Sequence, residues 1–196
     1  MKQTEHHIRA FIAAVLPEPV KAFLVRLQKD LKKDDIRASW PRPETMHLTL
    51  KFLGDVPEDQ IQGIQFCMAD AVKHHTRPII LSAGGIGVFP SVKNTRVVWC
   101  GVGGQTHHLA TLARELNRGL KAHLGLKQEK KRFSPHFTLA RIIKKQRVPP
   151  EKMVALMQKF SNRQSENFDV SQIKLFKSEL KSTGAVHTEL FSISIL

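Results

Sequence analysis

Apolar and polar residues follow two periodicities along this chain, and the alternation between them predicts its secondary structure. Short apolar runs, or apolar residues at every second position, indicate strands, whereas apolar residues three and four positions apart indicate helices with one buried face. The first half contains such segments in the order strand, helix, strand, helix, strand. They are predicted at residues 8–16, 20–31, 46–53 and 61–72, followed by strand pieces at 79–81 and 88–90 around a glycine-rich turn.

The second half repeats this order with different residues. Gly125 is placed to end its first helix, because glycine readily adopts the left-handed conformation at a helix C-terminus. Any α+β chain alternates in this general way, but the matching order favours an α+β fold of two similar lobes. The segments are a strand at 96–102, a helix at 109–120, a strand around 137–139, a helix at 150–160 and late strands at 170–175 and 189–195.

A tetrad of residues that occurs once in each half supports a duplication. His47-Leu48-Thr49-Leu50 and His136-Phe137-Thr138-Leu139 share the pattern His, apolar, Thr, apolar, each on the second, central strand of its half. Successive strand side chains point to opposite faces, so the His and Thr of a tetrad share one face about 6–7 Å apart. One such tetrad is a common accident on a surface or in a core. Two copies at equivalent places predict two imidazoles and two hydroxyls facing one cleft.

These side chains are suited to acid–base catalysis at phosphorus. An imidazole with an ordinary pKa of about 6.5 accepts or donates a proton near neutral pH, so one histidine can act as base and the other as acid. Threonine hydroxyls donate hydrogen bonds to anionic oxygens. Neither tetrad contains a thiolate or a cluster of carboxylates, and two histidines without a third ligand make a poor zinc site. The tetrads therefore predict a site without metal or other cofactor.

Arg141 follows the second tetrad at the position where Phe52 follows the first. A guanidinium in the cleft offers a fixed pair of hydrogen-bond donors to a phosphate. Strict alternation, however, places Arg141 on the apolar face of its strand. We therefore expect the strand to end or bend here if Arg141 serves the site; otherwise it is a surface residue at a strand end.

Composition bounds the class of protein. The length of 196 residues limits the chain to one domain or two small lobes, and we expect residues 1–196 to form a single catalytic domain of two similar interleaved lobes. Lys and Arg number 31 against 17 Asp and Glu, and the formal net charge of +14 favours RNA or DNA over a membrane as partner. Two cysteines are too few for a disulfide framework, and no apolar run approaches the ~20 residues of a membrane span. We expect a cytoplasmic monomer.

Several segments around the tetrads resemble the two-histidine phosphoesterase superfamily and, within it, the RNA 2′,3′-cyclic phosphodiesterases, also called 2′-5′ RNA ligases. The tetrads alone indicate the superfamily, whereas Leu53-Gly54 after the first and Ala140-Arg141 after the second are more specific to this branch. The segment Val186-His187-Thr188, where relatives often carry a tyrosine, is a minor difference that puts no catalytic position in doubt. The matching segments are 9–13, 47–54, 87–90, 96–99, 135–141 and 175–180.

The resemblance implies a bilobal, pseudo-two-fold architecture in which two antiparallel sheets face a central cleft and helices lie outside. It also implies metal-independent hydrolysis of RNA 2′,3′-cyclic phosphate ends to 2′-phosphate ends. In the family the first-tetrad histidine donates a proton and the second accepts one, which maps onto His47 and His136; the nearly symmetric sequence does not assign these roles. Thr49, Thr138 and Arg141 would hold the phosphate oxygens, and an RNA 5′-hydroxyl in place of water would give a 2′-5′ linkage.

Other interpretations fit some of the same residues. A cyclic nucleotide or an ADP-ribose cyclic phosphate is an alternative substrate, and the positive charge also fits an RNA-binding module without catalysis. The basic runs at 127–132 and 144–147 either line an approach for RNA or are solvated loops. Phe89, Trp40 and Trp99 either stack a terminal base or pack in the core.

Overall fold

The computed structural model describes residues 6–128, 132–143, 146–182 and 184–195, and strands make up much of this part of the chain. The two predicted strands that carry the tetrads are both present. The strands are β1 (His7–Ala14), β2 (Ala38–Ser39), β3 (Leu48–Pro57), β4 (Ile79–Phe89), β5 (Val97–Gly104), β6 (His136–Ile142), β7 (Phe168–Val170), β8 (Gln172–Lys181) and β9 (Gly184–Ser194).

The helices lie close to their predicted positions, which confirms the helical periodicity. They are α1 (Glu18–Lys32), α2 (Ile61–Val72), α3 (Thr106–Leu124) and α4 (Pro150–Lys159), with three-residue 3-10 turns at Pro43–Thr45, Glu58–Gln60 and Val92–Asn94. Gly125 ends α3 as predicted: its φ is +65°, and its N–H donates to the Lys121 carbonyl at 3.1 Å. No helix in the described part of the chain is long and apolar enough to cross a bilayer.

The strands form two antiparallel sheets that face a central cleft, with the helices outside, as the predicted fold class requires. One sheet has the order β3-β1-β8-β9 and the other the order β2-β6-β5-β4-β7. Both tetrad strands were predicted to be central in their sheets. The prediction is confirmed for β6, which lies inside its sheet, and wrong for β3, which is an edge strand.

The two halves of the chain exchange a strand. In the first sheet β1 and β3 are completed by β8 from the second half, and in the other sheet β5 and β6 are completed by β4 from the first half. Neither half therefore closes its own sheet. Because each sheet needs a strand from the other half, we propose that residues 1–196 form a single domain of two interleaved lobes.

The prediction of a glycine-rich turn between two short strand pieces was wrong, since β4 runs unbroken from Ile79 to Phe89. Gly85 has a φ of +61° and forms a bulge at which the register with β5 shifts. Gly87 leaves room for the indole of Trp99, because a Cβ there would lie 2.2 Å from the ring. The glycines therefore serve a bend and a close approach inside one strand. The strand predicted at 170–175 is likewise divided between β7 and β8.

The apolar members of the tetrads anchor both strands in the hydrophobic core. Leu48, Leu50, Phe137 and Leu139 are at most 3% exposed and belong to one continuous cluster of buried residues. This arrangement confirms the predicted alternation, because it turns the intervening histidines and threonines to the opposite face of each sheet.

Candidate active site

Both tetrad histidines are held by the same local hydrogen bond. Ring Nδ1 lies 2.8 Å from the carbonyl oxygen two residues earlier, that of Thr45 for His47 and that of Ser134 for His136. A carbonyl oxygen only accepts, so Nδ1 donates in both rings and Nε2 is left for chemistry. His47 immediately precedes β3 and His136 opens β6, so each ring is fixed where a strand begins.

The His47 ring packs against two other rings of the first sheet. Phe11 of β1 stacks on it with ring centroids 4.5 Å apart, and His187 of β9 meets it edge-on at 5.3 Å. The sequence interpretation treated position 187 as a minor difference, but the structure places this third imidazole beside His47. Before the structure, the only sign was that this position departs from the resemblance to the family.

The surroundings of His47 favour its neutral form. Burial is the main cause that lowers the pKa of His47 to about 4, and the positive charges of His187, Arg141 and His136 lower it further. The hydrogen bond to Thr45 acts in the opposite direction but is the weaker influence. At neutral pH the unliganded ring therefore presents an unprotonated Nε2.

The same interactions show that residues of the two tetrads lie near one another. Arg141 and His136 lie close enough for their charges to affect His47, and β3 and β6 contact each other. Thr49 pairs with Ala13 of β1 and Thr138 pairs with Trp99 of β5, and both threonines are half-buried. Arg141 and His136 thus lie within electrostatic range of His47, and Thr49 and Thr138 lie on the two strands that begin at the tetrad histidines.

A β-bulge explains how Arg141 reaches this space. Along β6 the burial alternates as far as Thr138, but Leu139 and Ala140 are both buried and Arg141 is exposed. The register with β5 changes at the same place, where Thr138 pairs with Trp99 and Ala140 with Val98, so Leu139 has no opposite residue. This extra residue shifts the alternation by one and returns Arg141 to the face of the tetrad. The sequence made a bend here the condition for Arg141 to serve the site, and the bulge meets that condition.

The first half contains an equivalent bulge. In the pairing of β3 with β1, Thr49 lies opposite Ala13 and Lys51 opposite Ile12, so Leu50 has no opposite residue. Leu50 and Lys51 are consecutive buried residues, and the next residue, Phe52, is exposed. Phe52 therefore occupies, after the first tetrad, the place that Arg141 occupies after the second.

A buried glutamine supports the bulge in β6. Gln28 of α1 is only 4% exposed, and its Nε2 donates to the carbonyl of Leu139 at 2.9 Å and to that of Pro41 at 3.0 Å. The side-chain amide of Gln28 thus donates to the carbonyl of Leu139, the bulge residue that has no partner on β5. Sequence periodicity did not identify this role, because Gln28 was one polar residue within an amphipathic helix.

The second histidine also has aromatic neighbours. Phe89 meets the His136 ring edge-on at 5.0 Å, and the Trp99 ring centroid lies 6.4 Å from it. Phe89 and Trp99 therefore line the site. Trp40 packs against the hydrophobic core instead, with Nζ of Lys32 5.2 Å from its ring centroid.

Other predicted features lie away from this arrangement or outside the described residues. The basic runs at 127–132 and 144–147 fall partly in the segments that the structure does not describe. Within the described ranges, no group of three or more His, Cys, Asp or Glu side chains is arranged to hold a metal ion. A cavity of about 500 Å³ near the start of β4 is lined by His74, Arg77 and His108 rather than by the tetrads.

Comparison with known proteins finds a match to one family model in each half of the chain. The family model described as LigT like Phosphoesterase matches residues 15–99 and again residues 103–187. Two matches of one model, each containing one tetrad, agree with the duplication inferred from the sequence.

Individual relatives match over almost the whole length. The RNA 2′,3′-cyclic phosphodiesterase of Methanothermobacter thermautotrophicus is 32% identical over 93% of this chain and 96% of its own. That of Aquifex aeolicus is 33% identical over 92% of this chain and 94% of its own. The crystal structure of TT0787 of Thermus thermophilus superposes with a TM-score of 0.79, at 28% identity, and covers 96% of this chain and 98% of that one.

Replacing Gln28 by leucine is expected to destabilise the protein. The substitution removes the donor to the Leu139 and Pro41 carbonyls, and a buried carbonyl without a partner costs about 1–3 kcal/mol. Chemical unfolding of Gln28→Leu measures this loss. The control is Gln62→Leu at an exposed position of α2, expected to change stability by no more than about 0.5 kcal/mol. Equal stability of both variants and the wild type contradicts the role of Gln28.

The His47 imidazole is expected to titrate with a pKa of about 4 in the unliganded protein, because burial and nearby positive charge disfavour imidazolium. NMR of the ring carbon and proton signals measures this value, with His47→Asn identifying the resonance. Inorganic phosphate is expected to raise the pKa of His47, since a bound anion opposes the nearby cations. An unliganded His47 that titrates near 6.5 contradicts the structure of this site.

Proposed function

Because the chain belongs to the LigT-like phosphoesterase family and is a cyclic phosphodiesterase, we propose that it opens the 2′,3′-cyclic phosphate at an RNA end to leave a 2′-phosphate. The observation that carries this proposal is the pair of Nδ1-anchored imidazoles from two lobes that share one space with Arg141. The names of the relatives support RNA as the substrate class. The net charge of +14 supports a polyanionic ligand.

In the proposed reaction the two histidines act on opposite sides of the phosphorus. Nε2 of His136 removes a proton from water while the water oxygen attacks phosphorus. The bond from phosphorus to the ribose 3′ oxygen breaks, and Nε2 of His47 protonates that oxygen. The products are a 2′-phosphate and a 3′-hydroxyl, and solvent returns a proton to His47 from His136. The assignment of acid and base follows the likeness to the family.

The remaining site residues stabilise charge on phosphate oxygens. Arg141 is exposed on the tetrad face and offers two N–H groups to a non-bridging oxygen pair. The Thr49 and Thr138 hydroxyls lie on the faces of their histidines and donate to the same group of oxygens. Donors already in place where negative charge increases lower the barrier without reorganisation.

The proton on His47 is acquired together with the substrate in this proposal. A pKa of about 4 leaves the unliganded ring neutral, whereas an acid must carry a proton at Nε2. A cyclic phosphodiester carries one negative charge, which opposes the positive charge of Arg141 and favours imidazolium at His47. We therefore place the protonation of His47 in the enzyme–substrate complex.

We propose that the same site also supports ligation when another nucleophile takes the place of water. If an RNA 5′-hydroxyl replaces water as the nucleophile, attack on the cyclic phosphate forms a 2′-5′ linkage and again releases the 3′ oxygen.

The monomeric state and the cytoplasmic location expected from the sequence remain predictions.

Loss of either histidine is expected to reduce turnover by about 10²–10⁴, the usual contribution of general acid–base catalysis. The substrate is an oligonucleotide with a 2′,3′-cyclic phosphate, and the product isomer is identified by chromatography against 2′- and 3′-phosphate standards. His47→Ala and His136→Ala are compared with His108→Ala, an exposed position outside the site that is expected to retain activity. A 3′-phosphate product, or full activity of both tetrad variants, contradicts the proposal. Preference for a mononucleotide cyclic phosphate identifies a small-molecule enzyme instead.

Activity is expected to survive removal of divalent metals. In the proposed reaction His47, His136 and Arg141 supply the proton transfers and the charge stabilisation. Turnover of the same oligonucleotide is measured after dialysis against EDTA, with and without added magnesium or zinc. Activity that disappears on chelation and returns with one metal overturns the metal-independent part of the proposal.

A further inference from the structure

A second arginine lies near Arg141 at the edge of the second sheet. Arg37 immediately precedes β2, the edge strand whose Ser39 lies opposite Arg141 of β6. The backbone continues this pairing by one more residue, because the N–H of Ile143 donates to the Arg37 carbonyl at 3.4 Å. Arg37 therefore has a defined place in the sheet, one step beyond the end of the short strand.

Strand alternation places Arg37 on the face of the sheet that carries the site. Residues two positions apart on a strand share a face, as do residues directly opposite on paired strands, so Arg37, Ser39 and Arg141 lie on one face. Burial agrees with this alternation: Ile36 and Ile142, on the other face, are 6% and 7% exposed, whereas the two arginines and Ser39 are exposed. Because the bulge in β6 returns Arg141 to the tetrad face, Arg37 lies on that face as well.

No carboxylate in the described part of the chain neutralises Arg37. The arginine takes part in no ion pair there, although two acidic residues lie a few positions earlier in the sequence. Asp34 instead pairs with Lys159 of α4 at 3.0 Å, and Asp30 pairs with Lys33 at 2.8 Å. A guanidinium without a counterion on the tetrad face favours an anionic ligand at this edge of the sheet.

The two arginines are separated by a distance that suits two phosphates of one RNA strand. Arg141 and Arg37 are diagonal neighbours on paired strands, a relation that places them about 7–8 Å apart. At an RNA end, a single ribose separates the cyclic phosphate from the preceding phosphodiester. With Arg141 at the cyclic phosphate, Arg37 is therefore within reach of the next phosphate towards the 5′ end. The Ser39 hydroxyl, opposite Arg141, adds a hydrogen-bond donor beside both.

We propose that Arg37 binds the phosphodiester that joins the terminal nucleoside to the rest of the RNA. This inference rests on the proposed function, in which Arg141 holds the cyclic phosphate of the same nucleoside. The Arg37 subsite makes the enzyme prefer the end of a chain over a nucleoside cyclic phosphate, which has no second phosphate. Because the contact is made to the backbone, it does not depend on the base.

The test compares two substrates that differ only in the second phosphate. One is adenosine 2′,3′-cyclic phosphate with a free 5′-hydroxyl, and the other carries a methyl phosphodiester on that 5′ oxygen. With the phosphodiester, Arg37→Ala is expected to raise KM about 3- to 10-fold, as for loss of one exposed charge-assisted contact, and to change kcat little. With the free hydroxyl, Arg37→Ala and wild type are expected to have the same KM in about 0.15 M salt, which screens more distant charges.

Matched variants separate a local contact from a general loss of positive charge. Arg37→Lys keeps the charge and is expected to keep KM close to the wild-type value; a KM as high as that of Arg37→Ala contradicts the subsite. The control is Arg26→Ala, which removes the same charge from an exposed position of α1 and is expected to leave both KM values unchanged. If Arg26→Ala raises KM as much as Arg37→Ala, or if Arg37→Ala impairs both substrates equally, the subsite is refuted.

A binding measurement keeps this inference independent of the reaction. Calorimetry measures the binding of adenosine 2′-phosphate, with and without the same 5′ methyl phosphodiester, to wild type and to Arg37→Ala. The subsite predicts that the phosphodiester tightens binding to wild type but not to the variant. If no cyclic phosphate is hydrolysed but this difference is found, the proposed reaction fails and the subsite stands. If hydrolysis proceeds and the phosphodiester adds nothing to binding by wild type, the reaction stands and the subsite fails.

Discussion

The site depends on one departure from regular strand geometry, which occurs once in each half of the chain. A strand turns successive side chains to opposite faces, so residues two positions apart share a face and adjacent residues lie on opposite faces. The tetrads use this rule to send two apolar residues to the core and a histidine and a threonine to the cleft. The extra residue after each threonine, Leu50 or Leu139, reverses the rule and adds a third side chain to the cleft face. Regular strands would bury Arg141 and Phe52.

Duplication supplies two similar half-sites, and their differences make the site useful. Both imidazoles are oriented by the same hydrogen bond from Nδ1, so each presents Nε2. Only His47 is stacked on a buried phenylalanine and flanked by another imidazole, and burial lowers its pKa. Acid–base catalysis requires two groups whose environments differ, which perfect symmetry does not provide. The exchange of β4 and β8 between the sheets ties the two half-sites together, because neither lobe is complete alone.

Much of this arrangement followed from the sequence, because periodicity reports which face of an element is buried. The helical spacing located α1, α2 and α3, and the tetrads identified both histidines and both threonines. Three features depended on contacts between distant segments, which periodicity does not contain. The bulge at Leu139 depends on the pairing of β6 with β5 and on the hydrogen bond from Gln28. The position of His187 depends on the pairing of β9 with β8. The glycines of β4 suggest a turn in the sequence, and only the structure shows that Gly87 makes room for the Trp99 ring.

The neutral state of His47 links binding to chemistry. Burial, together with the charge of the cleft that holds Arg141 and two further imidazoles, disfavours a charge on His47, so this ring is neutral in the unliganded site. An anion placed between the tetrads is expected to favour the charged form of His47, since it opposes the nearby positive charge that adds to the effect of burial in lowering the pKa of this ring. By thermodynamic linkage, a phosphate that raises the proton affinity of His47 is itself bound more tightly when that proton is present. In the proposed reaction the acid therefore forms when an anionic substrate is bound, and a neutral ligand of the same shape does not create it.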